Sequence, residues 1–333
     1  MIPLYLIFSH INPAQVVRLA GAIRQLSPRS KVVIHHDSSK STFEPVNLTG
    51  LDSVYLIENP VTCEWGDFSQ VQQYLHAFQW CRERIPEFDW VITLTGQSYP
   101  IRPLDDFELK LEHSGDEGFL YFFEASDPTH WPLGTSHNRH YYTYYQLPRF
   151  PYWYRVPSLA REFLQSVRKQ FNLTQSLIRI MPFPKSQLTR IGFRRLPIPF
   201  PTGHRLFGGR QNMTLSRRSV EYVIEYCENN PDYVKFFRRT LNPDESFFLS
   251  ILLNRDDFRF RNDLPLFTKW PRGERHAASC AIIETGDLPE ILASGKYFAL
   301  KFDQTIDAEP LSTIDRRLGI AAITKNDSSR VNG

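Results

Sequence analysis

The chain has 333 residues, 41% of them hydrophobic and 23% charged, which supplies a substantial core and excludes a disordered chain. Its formal net charge of +3 is too small to argue for nucleic acid, and no run of Lys and Arg alternates with aromatics as a single-strand groove would. The cysteines Cys63, Cys81, Cys227 and Cys280 are scattered without a CxxC pair, which excludes a zinc knuckle and favours reduced thiols.

The opening MIPLYLIFSHINP has no basic leader and only a short apolar run, so it reads as a first strand and not as a signal peptide. No stretch reaches the roughly 18 apolar residues of a membrane span. A cytoplasmic protein is the expectation. PLYLIFSH is followed by a helical pattern, PAQVVRLAGAIRQL, and then by KVVIHHD; SVYLIE, the helical SQVQQYLHAFQWCRERI and DWVITLTG come next. This alternation predicts an α/β fold with a mostly parallel sheet covered by helices. Such sheets hold ligands at the C-terminal strand ends, here Ser9–His10, His35–His36–Asp37 and Thr95–Gly96–Gln97. Neither GxGxxG nor a Walker loop is present.

Between Glu124 and Pro201 the texture becomes Tyr-, Arg- and Pro-rich, and a loop-rich excursion over one face of the sheet is predicted. The basic stretch from Arg179 to Arg195 reads as a solvated face, with contact to an anionic membrane or a phosphate-bearing acceptor as the alternative. MTLSRRSVEYVIEYC and PDESFF are predicted as helices, DLPEILASGKYFALKFD completes the core, and ITKNDSSRVNG is a polar tail.

Several positions admit two readings. Asp37 ends a strand, where it holds a ribose hydroxyl or forms a turn with Ser38 and Ser39. Trp65–Gly66–Asp67 precede a helix capped by Asp67 or Ser69, a plain cap or a ligand site. Glu124 closes the apolar run FLYFFE, facing a polar ligand or capping a turn. Lys301 lies among aromatics as a snorkelling surface lysine or an inward cation. In NPDESFFLSILLN, Asp244 and Glu245 start a helix or do chemistry. His10, His35 and His36 lack a metal-binding spacing. Asp105–Asp106 and Asp256–Asp257 are adjacent pairs, and Glu87-Phe88-Asp89 precedes its strand, so no DxD motif is found.

Taken in order, LIFSHINP, IHHDSSK, WGDFSQVQ, LTGQSYPI, GRQNMTLSRRSVEYV, PDESFF and GDLPEILASGKYFALKFD resemble the core-2/I-branching enzyme family, glycosyltransferase family 14. The resemblance spans nearly the whole chain and is weakest in the Tyr- and Arg-rich middle. It implies a GT-A fold, with a Rossmann-like nucleotide-sugar half over residues 1–120, an acceptor-binding and catalytic half of the same domain over 121–320, and a tail over 321–333. It also implies inverting transfer of a sugar, N-acetylglucosamine or xylose, from a UDP-sugar to a hydroxyl of a glycan, glycolipid or polypeptide. Phe8, Ser9, Asp37 and Ser38 then match the uridine and ribose site, Trp65 the donor-sugar wall, and Lys301 the diphosphate lysine. Glu245 matches the catalytic base, leaving Asp244 as the helix cap. Glu124, Arg139 and Trp270 fall where branching enzymes meet the acceptor. Ala278 stands where those enzymes place a second diphosphate arginine, with Arg275 first and Arg272 second as substitutes. GRQNMTLSR keeps Gln211 but lacks both tryptophans of the family's GSQWWALSR. Neither a metal nor a cofactor is expected. The competing readings are a glycoside hydrolase pairing Glu245 with Glu124 or Asp37, and a non-catalytic glycan-binding module.

Overall fold

Every residue of the first strand, β1 (Pro3–Ser9), is buried, because helices cover both faces of the sheet it joins. This computed structural model describes residues 1–131, 134–148, 156–183, 188–196, 203–271 and 279–321. After β1 come α1 (Pro13–Leu26), β2 (Lys31–His36), β3 (Val54–Leu56), α2 (Ser69–Arg84), β4 (Trp90–Thr95), β5 (Ser98–Pro100) and α3 (Asp105–Glu112). The chain continues through β6 (Gly118–Leu120), β7 (Phe122–Glu124), α4 (Thr135–His140), β8 (Tyr142–Gln146), α5 (Ser158–Thr174), β9 (Ile178–Phe183) and β10 (Leu188–Arg194). Then follow β11 (Phe207–Gly209), β12 (Thr214–Ser216), α6 (Arg217–Asn229), α7 (Pro231–Phe237) and α8 (Phe247–Leu252). The last elements are β13 (Phe260–Asn262), β14 (Leu266–Thr268), α9 (Leu288–Ala293), β15 (Phe298–Leu300) and α10 (Glu309–Leu318).

The main sheet has the order β13–β6–β12–β4–β1–β2–β3. Its strands run parallel except at β12, which is antiparallel to β4 and β6. This is the α/β fold with a mostly parallel sheet that the alternating pattern predicts. Alternation along β1 divides the core: Leu4, Leu6 and Phe8 pack with α2, α6 and α8, whereas Tyr5 and Ile7 pack with α1 and α10. Phe8 is level with His35 of β2 and with Thr95 of β4, so the three strands end together. Gly96 allows this, because a Cβ there would come within 2.8 Å of Ser9 Cβ and 2.9 Å of Val16 Cγ2. Gln15 of α1 ties the rim together, donating to the carbonyls of Gly96 and Phe302 and accepting from Gln304 N–H.

Three expectations are corrected. The predicted loop-rich excursion contains the 17-residue helix α5 and an antiparallel sheet of order β8–β10–β9. The run FLYFFE divides at Tyr121 into β6 and β7, and β7 leaves the main sheet to pair with β11. PDESFF is not one helix: Pro243–Glu245 form a 3₁₀ turn, Ser246 leaves the helical conformation at φ −135°, ψ −31°, and α8 begins at Phe247. Asp244 is therefore no helix cap, since neither the turn nor α8 has a side-chain cap bond. Among the described residues no helix is long and apolar enough to cross a membrane.

Candidate active site

The level ends of β1, β2 and β4 open into a cavity of about 420 Å³, within the usual range for a small-molecule site. Of the predicted donor-binding residues, Phe8, Ser9, Asp37, Trp65 and Lys301 line it. Ser38 does not; it is exposed, with its hydroxyl toward the His36 carbonyl. Arg275, Arg272 and Ala278 lie outside the described residues. The cavity also takes in Lys40, Gln73, Tyr74 and Gln211. Tyr74 stacks on Phe8 with ring centroids 4.0 Å apart, giving the cavity an aromatic floor.

Asp37 serves both of its readings. Its carboxylate accepts from Ser39 N–H at 3.0 Å, the turn, and from Cys63 N–H at 2.9 Å, while it faces the cavity. Burial pushes its pKa up, but these bonds outweigh burial and hold it below the ordinary carboxylate value. A charged acceptor is thus fixed at the strand end. The histidines beside it are structural. Ser9 O–H donates to His36 Nδ1 (2.8 Å) while His36 Nε2–H donates to Ser41 O (2.8 Å), and His35 Nε2 accepts from Val61 N–H. Burial holds His35 neutral, down to about 4. If Asp37 binds a ribose hydroxyl, Asp37→Ala weakens UDP binding by about tenfold or more. Calorimetry checks this, with Asp37→Asn as the control that still offers one acceptor to the loop. Unchanged UDP affinity in the folded Ala variant would place the nucleotide elsewhere.

Lys301 enters the cavity from the segment after β15. Its carbonyl accepts from Ile283 N–H and the next amide, Phe302 N–H, donates to Gln97 O, so its backbone is held on both sides at 2.8 Å. Lys40 reaches the same space from the loop after β2, with its ammonium 3.4 Å from the Cys63 carbonyl.

Glu245 does not line this cavity. Arg139 of α4 donates to its Oε2 at 2.6 Å, and the guanidinium lies 4.3 Å over the Trp131 ring. Oε1 accepts no bond from the described residues. Asp244 is buried beside it, and its Oδ1 has no hydrogen-bond partner among the described residues. Burial first, and the Glu245 charge second, raise the Asp244 pKa well above the carboxylate range, with Arg139 opposing. The two adjacent carboxyls therefore differ: one is buried and favours its proton, and the other is half exposed and ion-paired.

One carbonyl joins the two halves of the site. Gly66, at φ +71°, directs its C=O to Asn242 N–H (3.2 Å) and to Arg190 Nη1 of β10 (2.6 Å). Its own N–H donates to Gln70 Oε1 at 2.6 Å. Asp67 adds an ion pair to Arg190 and accepts from Ser69 N–H, while Phe68 occupies the cap position of α2 that was expected for Asp67 or Ser69.

Glu124 and Trp270, the other residues expected to meet the acceptor, do not line the cavity. Glu124 is exposed and pairs with Arg205 at 3.2 Å. Trp270 is 44% exposed, and Arg210 lies 5.5 Å over its ring and 4.9 Å over that of Tyr121. Trp131, His137 and Tyr141 line another hollow, of about 220 Å³, on the Arg139 side. Among the described residues no three His, Cys, Asp or Glu side chains gather as a metal site. Neither Arg139's partner nor the Tyr74 floor was readable in sequence: the ion pair spans 106 positions, and Tyr74 has only the ordinary core spacing of α2.

Residues 158–292 match the profile of the Branch family, Core-2/I-Branching enzyme. Over those residues the chain is similar to core-2/I-branching enzymes. It is 22% identical over 330 residues to the xylosyltransferase sqv-6 of Caenorhabditis elegans, a match covering 91% of this chain and 35% of that protein. It is 26% identical over 156 residues to a beta-1,3-galactosyl-O-glycosyl-glycoprotein beta-1,6-N-acetylglucosaminyltransferase of Bos taurus, covering 40% and 36%. With the beta-glucuronosyltransferase GlcAT14A of Arabidopsis thaliana it shares 23% over 292 residues, covering 83% and 55%. The chain thus spans about a third of the length of the first two relatives and about half of the third. The galactosyltransferase LgtC superimposes at 11% identity and a TM-score of 0.39, covering 96% of this chain and 98% of that one, a likeness too loose to bear on the site.

Proposed function

We propose that this chain transfers a sugar from a UDP donor to an acceptor hydroxyl with inversion. The observation that carries the reading is one arrangement: a cavity at parallel strand ends holding Asp37 and Lys301, with Glu245 tied to its Trp65–Gly66 rim through Asn242. In a single displacement the acceptor oxygen attacks the anomeric carbon, the bond from that carbon to the diphosphate breaks, and the diphosphate leaves with the electron pair. Glu245 Oε1 takes the hydroxyl proton as the attack proceeds. Arg139, on Oε2, fixes which oxygen is free. One carboxylate suffices, unlike the pair most glycosidases need. Glu124 faces Arg205 at the surface, which gives a hydrolase pairing with Glu245 no support.

The leaving diphosphate needs fixed positive charge. Lys301 and Lys40 both line the cavity and supply it in this reading, so no divalent metal takes part. Transfer should then persist in excess EDTA, and Lys301→Ala should lower UDP affinity and turnover by about tenfold or more. Loss of activity in EDTA with recovery on manganese would overturn the metal-free assignment. The relatives' names give xylose, N-acetylglucosamine and glucuronic acid as transferred sugars. N-acetylglucosamine and xylose are the donors proposed here, with a glycan, glycolipid or polypeptide acceptor. Slow hydrolysis of a panel of UDP-sugars tests the whole reading: release of UDP from one of them supports it, and release of sugar from an oligosaccharide without nucleotide refutes it.

A further inference from the structure

Helix α5 is amphipathic in an unusual sense. Arg168 and Asn172 face β9, donating to the Ile180 carbonyl at 3.4 and 3.0 Å, and Asn172 accepts from Ile180 N–H. The helix thus docks on the β9–β10 hairpin through polar side chains, and none of its residues is buried. Its apolar residues recur at i, i+4, i+8 and i+12 as Leu159, Phe163, Val167 and Phe171, flanked by Leu164, and all are exposed. Phe163 is 68% exposed and Leu159 78%. Just past the helix, Leu177 continues the apolar surface.

Charge identifies what covers this stripe. Between Pro128 and Val220 the sequence holds fifteen Lys and Arg and one acid, Glu162, in a chain whose net charge is only +3. Arg161, Arg168 and Lys169 are on the helix itself, and Arg179 and Arg194 are on the hairpin. An apolar stripe with basic flanks, 17 residues long and too polar to span, is the composition of a helix that lies in the headgroup layer of an anionic bilayer. A second copy would bring the same cations against each other and is disfavoured.

We infer that α5 and the β9–β10 hairpin form a docking surface for anionic lipid membranes. The surface is continuous with the candidate site, because β10 pairs with β8 and carries Arg190 to the Gly66 carbonyl. Docking there would hold the site near an acceptor presented on the membrane.

The test is co-sedimentation with vesicles of equal phosphatidylglycerol and phosphatidylcholine against pure phosphatidylcholine, with no need for turnover. The protein should pellet with the anionic vesicles, more weakly as salt rises through about 0.5 M, and little with the neutral ones. Phe163→Ser combined with Val167→Ser should cut anionic binding by about tenfold or more at unchanged melting temperature. Leu109→Ser, an exposed change on α3, should leave it unchanged. Failure of the parent protein to bind anionic vesicles, or undiminished binding by the double variant, overturns the inference. A dimer in vesicle-free solution that the double variant makes monomeric would also overturn it, by giving the stripe to a second copy.

Discussion

Glu245→Gln is expected to lower sugar transfer by about 10²–10⁴-fold, the usual range for a general base, while the fold and UDP affinity stay as they are. The substitution isolates the chemistry. The Gln carbonyl oxygen can still accept from Arg139 Nη1, where Glu245 Oε2 now accepts at 2.6 Å, so the turn keeps its anchor. What is lost is the free carboxylate oxygen to which the proposed reaction gives the proton. Turnover, thermal melting and calorimetry with UDP together decide the matter. Near-parental turnover by a folded Gln variant would reduce Glu245 to the partner of Arg139.

Phe248→Ala should destabilise the chain by about 3–5 kcal/mol, as deletion of a fully enclosed aromatic does. Phe248 is 1% exposed, and its ring lies 5.6 Å from Tyr74, 6.0 Å from Phe78 and 5.1 Å from Phe247. Tyr74 in turn bears Phe8, so the cavity floor loses its support and UDP affinity should fall together with stability. Denaturant unfolding of Phe248→Ala beside Phe248→Leu measures the first effect. A loss below about 1 kcal/mol would mean that the cluster relaxes around the hole.

The elements with a plain periodic signal were legible. Pro13 at a first helical turn and an apolar stripe of period near 3.6 define α1 as PAQVVRLAGAIRQL, the span the structure shows. The strand ends Ser9, Asp37 and Gly96, expected to meet a ligand because parallel sheets place sites there, line one cavity. Other features left no local trace. Helix α5 has its stripe at regular spacing, but Pro- and Tyr-rich neighbours and the lack of any burial disguised it. Asp244 follows Asn242 and Pro243 as a helix cap would. Its burial is set by the left-handed Asn242 (φ 44°) and by packing against α2, which are tertiary facts. The ion pair of Arg139 with Glu245 joins residues 106 positions apart and is set by topology alone.

The Gly66 carbonyl gives the site a shared pivot. The loop that bears Trp65, the turn that bears Glu245 and the strand that bears Arg190 all hang from one oxygen, although they come from widely separated parts of the chain. None of the three can shift alone. Sequence changes in these segments will therefore show epistasis: a substitution tolerated in one will depend on what the other two carry, and their effects will not add. Variation in the basic hairpin then reaches the position of Glu245 through Arg190 and the Gly66 carbonyl.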